Sequence, residues 1–504
     1  MRIEFTLPAP GVAGTINLPT QPVQVDAWLA GLGPGNVGAV RLLECLAAWN
    51  RNPVPLEHRL HVLDASHSRR EHWLDAQRAA LMRMSRPYSM EWRADMELAR
   101  RMCAELAHLC KHVLMDSAAK PSRRMGPSFP LEVLRELMRT QRRIAELHAL
   151  AHEPLPHEFW HDLHHAYRIA AWRGCLERSA SPVEDESLAE IYLSILLIEL
   201  ADTQRMPRHE MPWLFDFVRL FAHLVERVPA KSGPPGVFVL DSRGNAPPQP
   251  LLLQSMQRDW DLSLRTTPLI KQIALILAHQ EARADNLARS DSAVSGYARF
   301  LQHLRLRWSG SRFRRGVRRR SDPAVQYMVS FGFSALSDAL AQGPDGRPFH
   351  EPRAALLNSS AGGLALSLAA EAASGMEVGE LVGTRRVDGG PWEVGVLRWF
   401  SLPRPNRLAI GVQLLTGSFM PATPLGEAMD DKVLLTRAGQ PGARGLMLCA
   451  AGLSAGDTLV LRQDDKEVRV QVRKRLDIGS CVPLYRVEWL RCADETEISP
   501  VRGG

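Results

Sequence analysis

The sequence predicts a multidomain α+β protein, with an all-helical N-terminal domain followed by two small β domains. Apolar residues recur at a helical period from about residue 24 to 308. Beyond Trp308 short alternating runs take over, separated by glycine- and proline-bearing turns. At 504 residues the chain is long enough for two to four separate cores.

Taken in order, residues 1–23 alternate (Ile3, Phe5, Leu7) and then break on prolines and glycines, as an extended arm or short strand would. In 24–308, Val40, Leu43, Leu46 and Ala47 form one amphipathic stripe. Met96, Leu98, Met102, Leu106 and Leu109 form a second, and Leu131, Val133, Leu134, Leu137, Ile144 and Leu147 a third. Helices are expected to continue over 155–178, 185–204, 209–228 and 267–305. Proline-rich breaks at 121–130, 179–183, 229–237 and 246–250 separate them. Trp160-x-x-Leu163-x-x-x-Tyr167 resembles the first helix of a tetratricopeptide repeat, but no repeat of about 34 residues surrounds it. The domain therefore reads either as helical-repeat-like or as an irregular helical bundle.

After the switch, 324–333 reads as a strand, 334–340 as a short helix, and Gly343-Pro344-Asp345-Gly346 as a turn. Strands follow at 354–368, 378–386, 391–400 and 407–415, the pattern of a small barrel over 309–425. A further β domain, 426–504, is expected from strands at 432–437, 445–449, 457–462, 467–473 and 483–491.

Composition narrows the class. The net charge of +7 is modest, but residues 301–320 hold eight arginines and no acid. Seven cysteines without a C-x-x-C argue against a disulfide framework or structural zinc and suit a reducing compartment. Glu4 and the early prolines are unlike a signal peptide, and Ile191 to Leu200 is too short to span a bilayer. A cytoplasmic protein with no membrane insertion is expected.

Two motifs carry chemistry. The run Arg312-Phe313-Arg314-Arg315-Gly316-Val317-Arg318-Arg319-Arg320 contains R-x-x-x-R in two registers, Arg314/Arg318 and Arg315/Arg319. Guanidinium forks suit phosphates and guanine edges. Downstream, Asn358-Ser359-Ser360-Ala361-Gly362-Gly363 reads N-x-S-x-x-G. In this order the two resemble the PilZ domain, the bacterial receptor module for cyclic di-GMP. The likeness extends to Glu377-x-Gly379-Glu380-Leu381-Val382, to Trp392-x-Val394-Gly395-Val396-Leu397-Arg398-Trp399, and to Leu408-Ala409-Ile410-Gly411-Val412-Gln413-Leu414, covering 312–420.

The resemblance implies a six-stranded β-barrel that binds cyclic di-GMP and needs no other cofactor. It implies that Arg314, Arg315, Arg318 and Arg319 supply the phosphate-neutralising arginines. It further implies that Asn358 and Ser360 bond the base or orient the loop, and that Gly363 holds a backbone conformation a Cβ would forbid. About 38 residues separate Arg319 from Asn358, more than the family pattern, which places an insertion around 334–353. The expected role is that of a receptor whose occupancy alters contacts between the helical domain and a protein partner, in control of surface attachment, motility or pili. A ligand-free scaffold is the alternative.

His157-Glu158-Phe159-Trp160-His161 spells H-E-x-x-H, the zinc-peptidase spacing. Trp160, Leu163 and Tyr167 instead read as the core stripe of that helix, so the histidines fall on a solvated face and a metallopeptidase is the lesser alternative. The arginine run has few interleaved aromatics and no reading helix, so no nucleic acid is expected as a partner. No Walker loop is present and no G-x-G-x-x-G follows a strand, and no enzyme is expected.

Overall fold

The computed structural model of the chain describes residues 3–9, 21–84, 88–119, 129–178, 186–229, 236–251, 260–286, 292–310, 319–320, 325–342, 352–373, 375–404, 406–425, 432–437, 442–463, 466–477 and 479–490. The chain divides into two compact units, Met1–Phe313 and Arg314–Gly504.

The first unit is built on helices α1 (Pro22–Ala30), α2 (Gly35–Arg51), α3 (Leu56–Ala65), α4 (His67–Arg83), α5 (Met90–Ala119), α6 (Phe129–Leu150), α7 (His157–Trp172), α8 (Leu188–Leu200) and α9 (Met211–Phe221). Most of the stripe residues read from sequence form its core: Leu43 and Leu46 of α2, Met96, Met102, Leu106 and Leu109 of α5 and Val133, Leu134, Leu137 and Leu147 of α6 are all buried, whereas Val40 of α2 is exposed. Ile191, Tyr192, Leu193 and Ile195 bury successive positions of α8, so this helix lies inside the unit rather than on its surface. It starts on a capping box, in which the Ser187 side chain accepts from the Glu190 backbone N–H and the Glu190 carboxylate accepts from the Ser187 N–H.

One part of this unit differs from the expectation of helices throughout. Strands β1 (Glu226–Pro229), β2 (Phe238–Leu240), β3 (Gln249–Pro250) and β4 (Leu262–Arg265) form an antiparallel sheet in the order β1-β4-β2-β3. They are two to four residues long, too short for a period to register in the sequence. Helices α10 (Thr267–Asn286) and α11 (Ser292–Trp308) follow. The N-terminal arm is extended without a strand partner. Its Glu4 and Thr6 N–H groups donate to His165 Nε2 and Asp162 Oδ1, both at 3.0 Å, and Phe5 is buried edge-on to His165.

The second unit holds β5 (Arg319–Arg320), β6 (Gln326–Phe331), α12 (Phe333–Ala341), β7 (Arg353–Ser360), β8 (Gly363–Ala369), β9 (Leu381–Arg386), β10 (Glu393–Arg404) and β11 (Arg407–Leu414). It continues with β12 (Phe419–Pro424), β13 (Val433–Thr436), β14 (Arg444–Cys449), β15 (Thr458–Gln463), β16 (Lys466–Leu476) and β17 (Leu484–Leu490). Strands β7-β6-β9-β10-β11-β8 close on themselves through the β7–β8 hairpin, and β5 adds to the free edge of β7. Strands β12-β13-β14-β17-β16-β15 close into a second barrel. Strand β12, placed by the sequence with the first barrel, hydrogen-bonds to β13 and β15 of the second.

Counted from their own first strands (β6 and β12), both barrels run first-second-third-sixth-fifth-fourth around the circle. They share a seam in which Leu336, Leu381, Val394 and Val396 pack with Phe419, Leu434, Leu448 and Leu484. Lys432 Nζ donates to Asp338 Oδ1 at 2.5 Å.

Glu380 precedes β9, and burial pushes its carboxyl up to about 7. A carboxyl raised in the fold contributes stability that is lost as pH rises through that value. Glu380→Gln is therefore expected to raise the melting temperature at pH 8, with the gain shrinking toward pH 5. A thermal melt at both pH values checks this.

Candidate functional site

The first barrel brings the end of the arginine run beside the N-x-S-x-x-G motif. Strand β5 runs antiparallel to the end of β7, with Arg319 opposite Ser359 and Arg320 opposite Asn358. The long separation in sequence is taken up in part by α12, which packs on β6 and β9. Arg314, Arg315 and Arg318 lie outside the described residues.

The sheet register extends this row across the barrel. Asn358 pairs with Ala365 of β8, Ala365 with Gly411 of β11, and Gly411 with Trp399 of β10. Directly opposed residues share a face. The neighbouring row, Leu356, Leu366, Ile410 and Phe400, is buried inside the barrel. Asn358, Ala365, Gly411 and Trp399 therefore lie on the outer face, and Arg320 occupies the register position beside Asn358. One step along, Ser360, Gly363 and Gln413 are aligned on the same face.

Two glycines shape this surface. A Cβ on Gly411 would come within 1.9 Å of Trp399 Nε1, so the missing side chain lets the indole lie flat across β11. A Cβ on Gly363 would come within 2.5 Å of the Val412 carbonyl oxygen, so glycine permits β8 to start close against β11. The sequence-based expectation tied Gly363 to an unusual backbone conformation. Its φ is not among the positive values in the chain, and the requirement is the close approach of a neighbouring strand. The hairpin turn is held by the Ser360 hydroxyl donating to the Gly363 carbonyl at 3.3 Å, and by Leu414 N–H donating to the Gly362 carbonyl at 3.1 Å.

Trp399, Arg398 and Gln413 were not singled out by sequence as site residues, and neither was Arg320. A bulge in β10 between Leu397 and Trp399 leaves Arg398 as the extra residue, and its Nε donates to Gln413 Oε1 at 2.7 Å. The signal was present as a lapse in alternation: Leu397 and Phe400 are both buried, with Arg398 and Trp399 half-buried between them. The resulting surface is a shallow shelf floored by Ala365, Gly363 and Gly411. The indole of Trp399 lies at one end, and Asn358, Ser360, Gln413 and Arg398 supply amides, a hydroxyl and a guanidinium. A planar base can stack on the indole while its edge meets the amides, and a phosphate can sit against the arginine strand.

The H-E-x-x-H stretch starts α7. His157 Nδ1 lies 3.1 Å from the Asn245 carbonyl and His161 Nδ1 lies 3.2 Å from Asp162 Oδ1, while Glu158 is exposed. Trp160, Leu163 and Tyr167 are buried, as a core stripe requires, and Tyr167 stacks on Tyr192 at 4.2 Å. Among the described residues, the acidic and imidazole atoms close enough to share a metal belong to His67, Glu71 and Glu136. Arginines already pair with both carboxylates there, Arg143 with Glu71 and Arg70 with Glu136. No helix among the described residues is long and apolar enough to cross a membrane.

Two family models match parts of the chain. Residues 23–230 match the family described as "Cyclic-di-GMP receptor FimW, N-terminal domain", and residues 335–421 match "Cyclic-di-GMP receptor FimW, middle PilZ domain". The chain is 23% identical over 492 residues to the Cyclic-di-GMP receptor FimW of Pseudomonas aeruginosa, covering 79% of this chain and 78% of that relative. Both descriptions are of a binding protein rather than an enzyme.

Proposed function

We propose that this chain, a PilZ-domain protein, is a receptor for cyclic di-GMP and binds it on the outer face of the first barrel. The observation that carries the reading is the pairing of β5 with β7, which sets the end of the arginine run against N-x-S-x-x-G on the face that also holds Trp399. Each part meets a different piece of the ligand. The arginines at 314, 315, 318, 319 and 320 neutralise the phosphodiesters, and one of them forks to a guanine edge. Asn358 and Ser360 bond the base edge, and the indole of Trp399 stacks on the purine. The scaffold alternative rested on the long spacing between the motifs; the β5–β7 pairing, which spans that spacing, favours the receptor reading.

Residues 311–318 join the two units in sequence, following the end of α11 at Trp308. A ligand changes the helical domain's contacts only to the extent that it binds two arrangements of the chain with different affinity. The output we assign to the helical domain is contact with a protein partner in control of surface attachment, motility or pili.

Titration calorimetry with cyclic di-GMP, using GTP and cyclic GMP as controls, tests the ligand assignment. Selective saturable binding is expected. Binding of all three nucleotides alike, or of none, contradicts it.

A further inference from the structure

The second barrel repeats the first in more than strand order. In β16 a bulge interrupts the pairing with β17 between Val472↔Val487 and Lys474↔Arg486, leaving Arg473 as the extra residue. Its Nε donates to Glu488 Oε2 at 3.0 Å. The bulge in β10 lies between Leu397↔Val412 and Trp399↔Gly411, and there Arg398 donates to Gln413 in the same way. Because strand order, bulge and the bond across it agree, positions on the two outer faces can be matched one by one. Lys474 stands where Trp399 does, Arg486 where Gly411 does, Glu488 where Gln413 does, and Arg444 where Gly363 does. Thr436 ends β13 beside this row, and its Oγ1 accepts from the Leu446 N–H at 3.0 Å.

These replacements change the chemistry of the face. The indole and the glycine beneath it are gone, so a purine has no platform. The hydroxyl of Thr436 is already engaged by backbone. What remains is cationic: Arg444, Arg473, Lys474, Arg475 and Arg486 are all exposed. Lys474 and Arg486 are directly opposed, a like-charge pair that is unfavourable unless an anion screens it.

We infer that this face of the second barrel docks an acidic protein surface and takes no nucleotide base. The inference goes beyond the dinucleotide reading and stands without it. A protein partner suits the face better than a nucleic acid because Glu488 lies within the patch, bonded to Arg473. A phosphate backbone presents only negative charge to that carboxylate, whereas a protein can offer it a lysine or arginine. Arginine is also the charged residue most enriched at protein interfaces, and no aromatic ring is available here to stack bases.

The test titrates the full chain with a polyglutamate peptide at low ionic strength. Saturable, salt-sensitive binding is expected, weakened about tenfold or more in the double variant Lys474→Glu/Arg486→Glu. Cyclic di-GMP affinity and circular dichroism should be unchanged in that variant. Lys474→Gln/Arg486→Gln serves if charge reversal disturbs folding. Polyglutamate binding that survives both double variants overturns the inference. So does tighter binding of a single-stranded oligonucleotide through the same residues, or loss of cyclic di-GMP affinity in the variants.

Discussion

Trp399→Ala is expected to weaken cyclic di-GMP binding by roughly 1–3 kcal/mol, the range for losing one base–aromatic stack. The indole is half-buried against Gly411 and lies outside the barrel interior, so its removal leaves the core row of Leu356, Leu366, Ile410 and Phe400 intact. Calorimetry should show the loss with little change in melting temperature. A Trp399→Phe variant should recover much of the affinity, because a ring remains to stack. If alanine binds as tightly as the native chain, the base does not lie on this shelf.

Arg319→Ala and Arg320→Ala are each expected to cost roughly 1.5–3 kcal/mol of binding, the loss for a charge-assisted hydrogen-bonding group. Both residues lie on the strand that pairs with Asn358 and Ser359. Their substitution should also flatten the dependence of affinity on salt, since fewer phosphate contacts are made. Lysine at either position should restore charge but not the two-point geometry, giving intermediate affinity. Arg315→Ala tests the other arginine of that register in the same way. Unchanged affinity in all three alanine variants would move the phosphate site elsewhere.

Much of this arrangement was legible in the sequence, and the exceptions have physical causes. The α5 and α6 stripes could be read because long helices repeat their period several times, as Met96 to Leu109 and Leu131 to Leu147 do. The β1–β4 sheet could not, because strands of two to four residues contain no full repeat. Asn358, Ser360 and Gly363 were singled out from their spacing, and the barrel aligns them along one face of the β7–β8 hairpin. Trp399 was visible only as part of a strand, because the stacking role proposed for it depends on two facts no local pattern states. One is a bulge that turns it outward, and the other is a glycine one strand away that gives it room.

The likeness of the two barrels was hidden for a related reason. Their matched positions keep the geometry and change the residue types, tryptophan to lysine and glycine to arginine. Register is set by which positions face inward, and both barrels satisfy that with different side chains: Leu397 and Val412 in one, Val472 and Val487 in the other.

The central claim is that cyclic di-GMP binds the outer face of the first barrel and leaves the second barrel untouched. Hydrogen–deuterium exchange of the full chain, with and without saturating ligand, tests it most directly. Protection is expected in peptides covering 311–320, 357–365 and 396–400, with none in 444–449 or 466–490. Protection confined to the second barrel, or ligand saturation with no protection at 357–365, would contradict it.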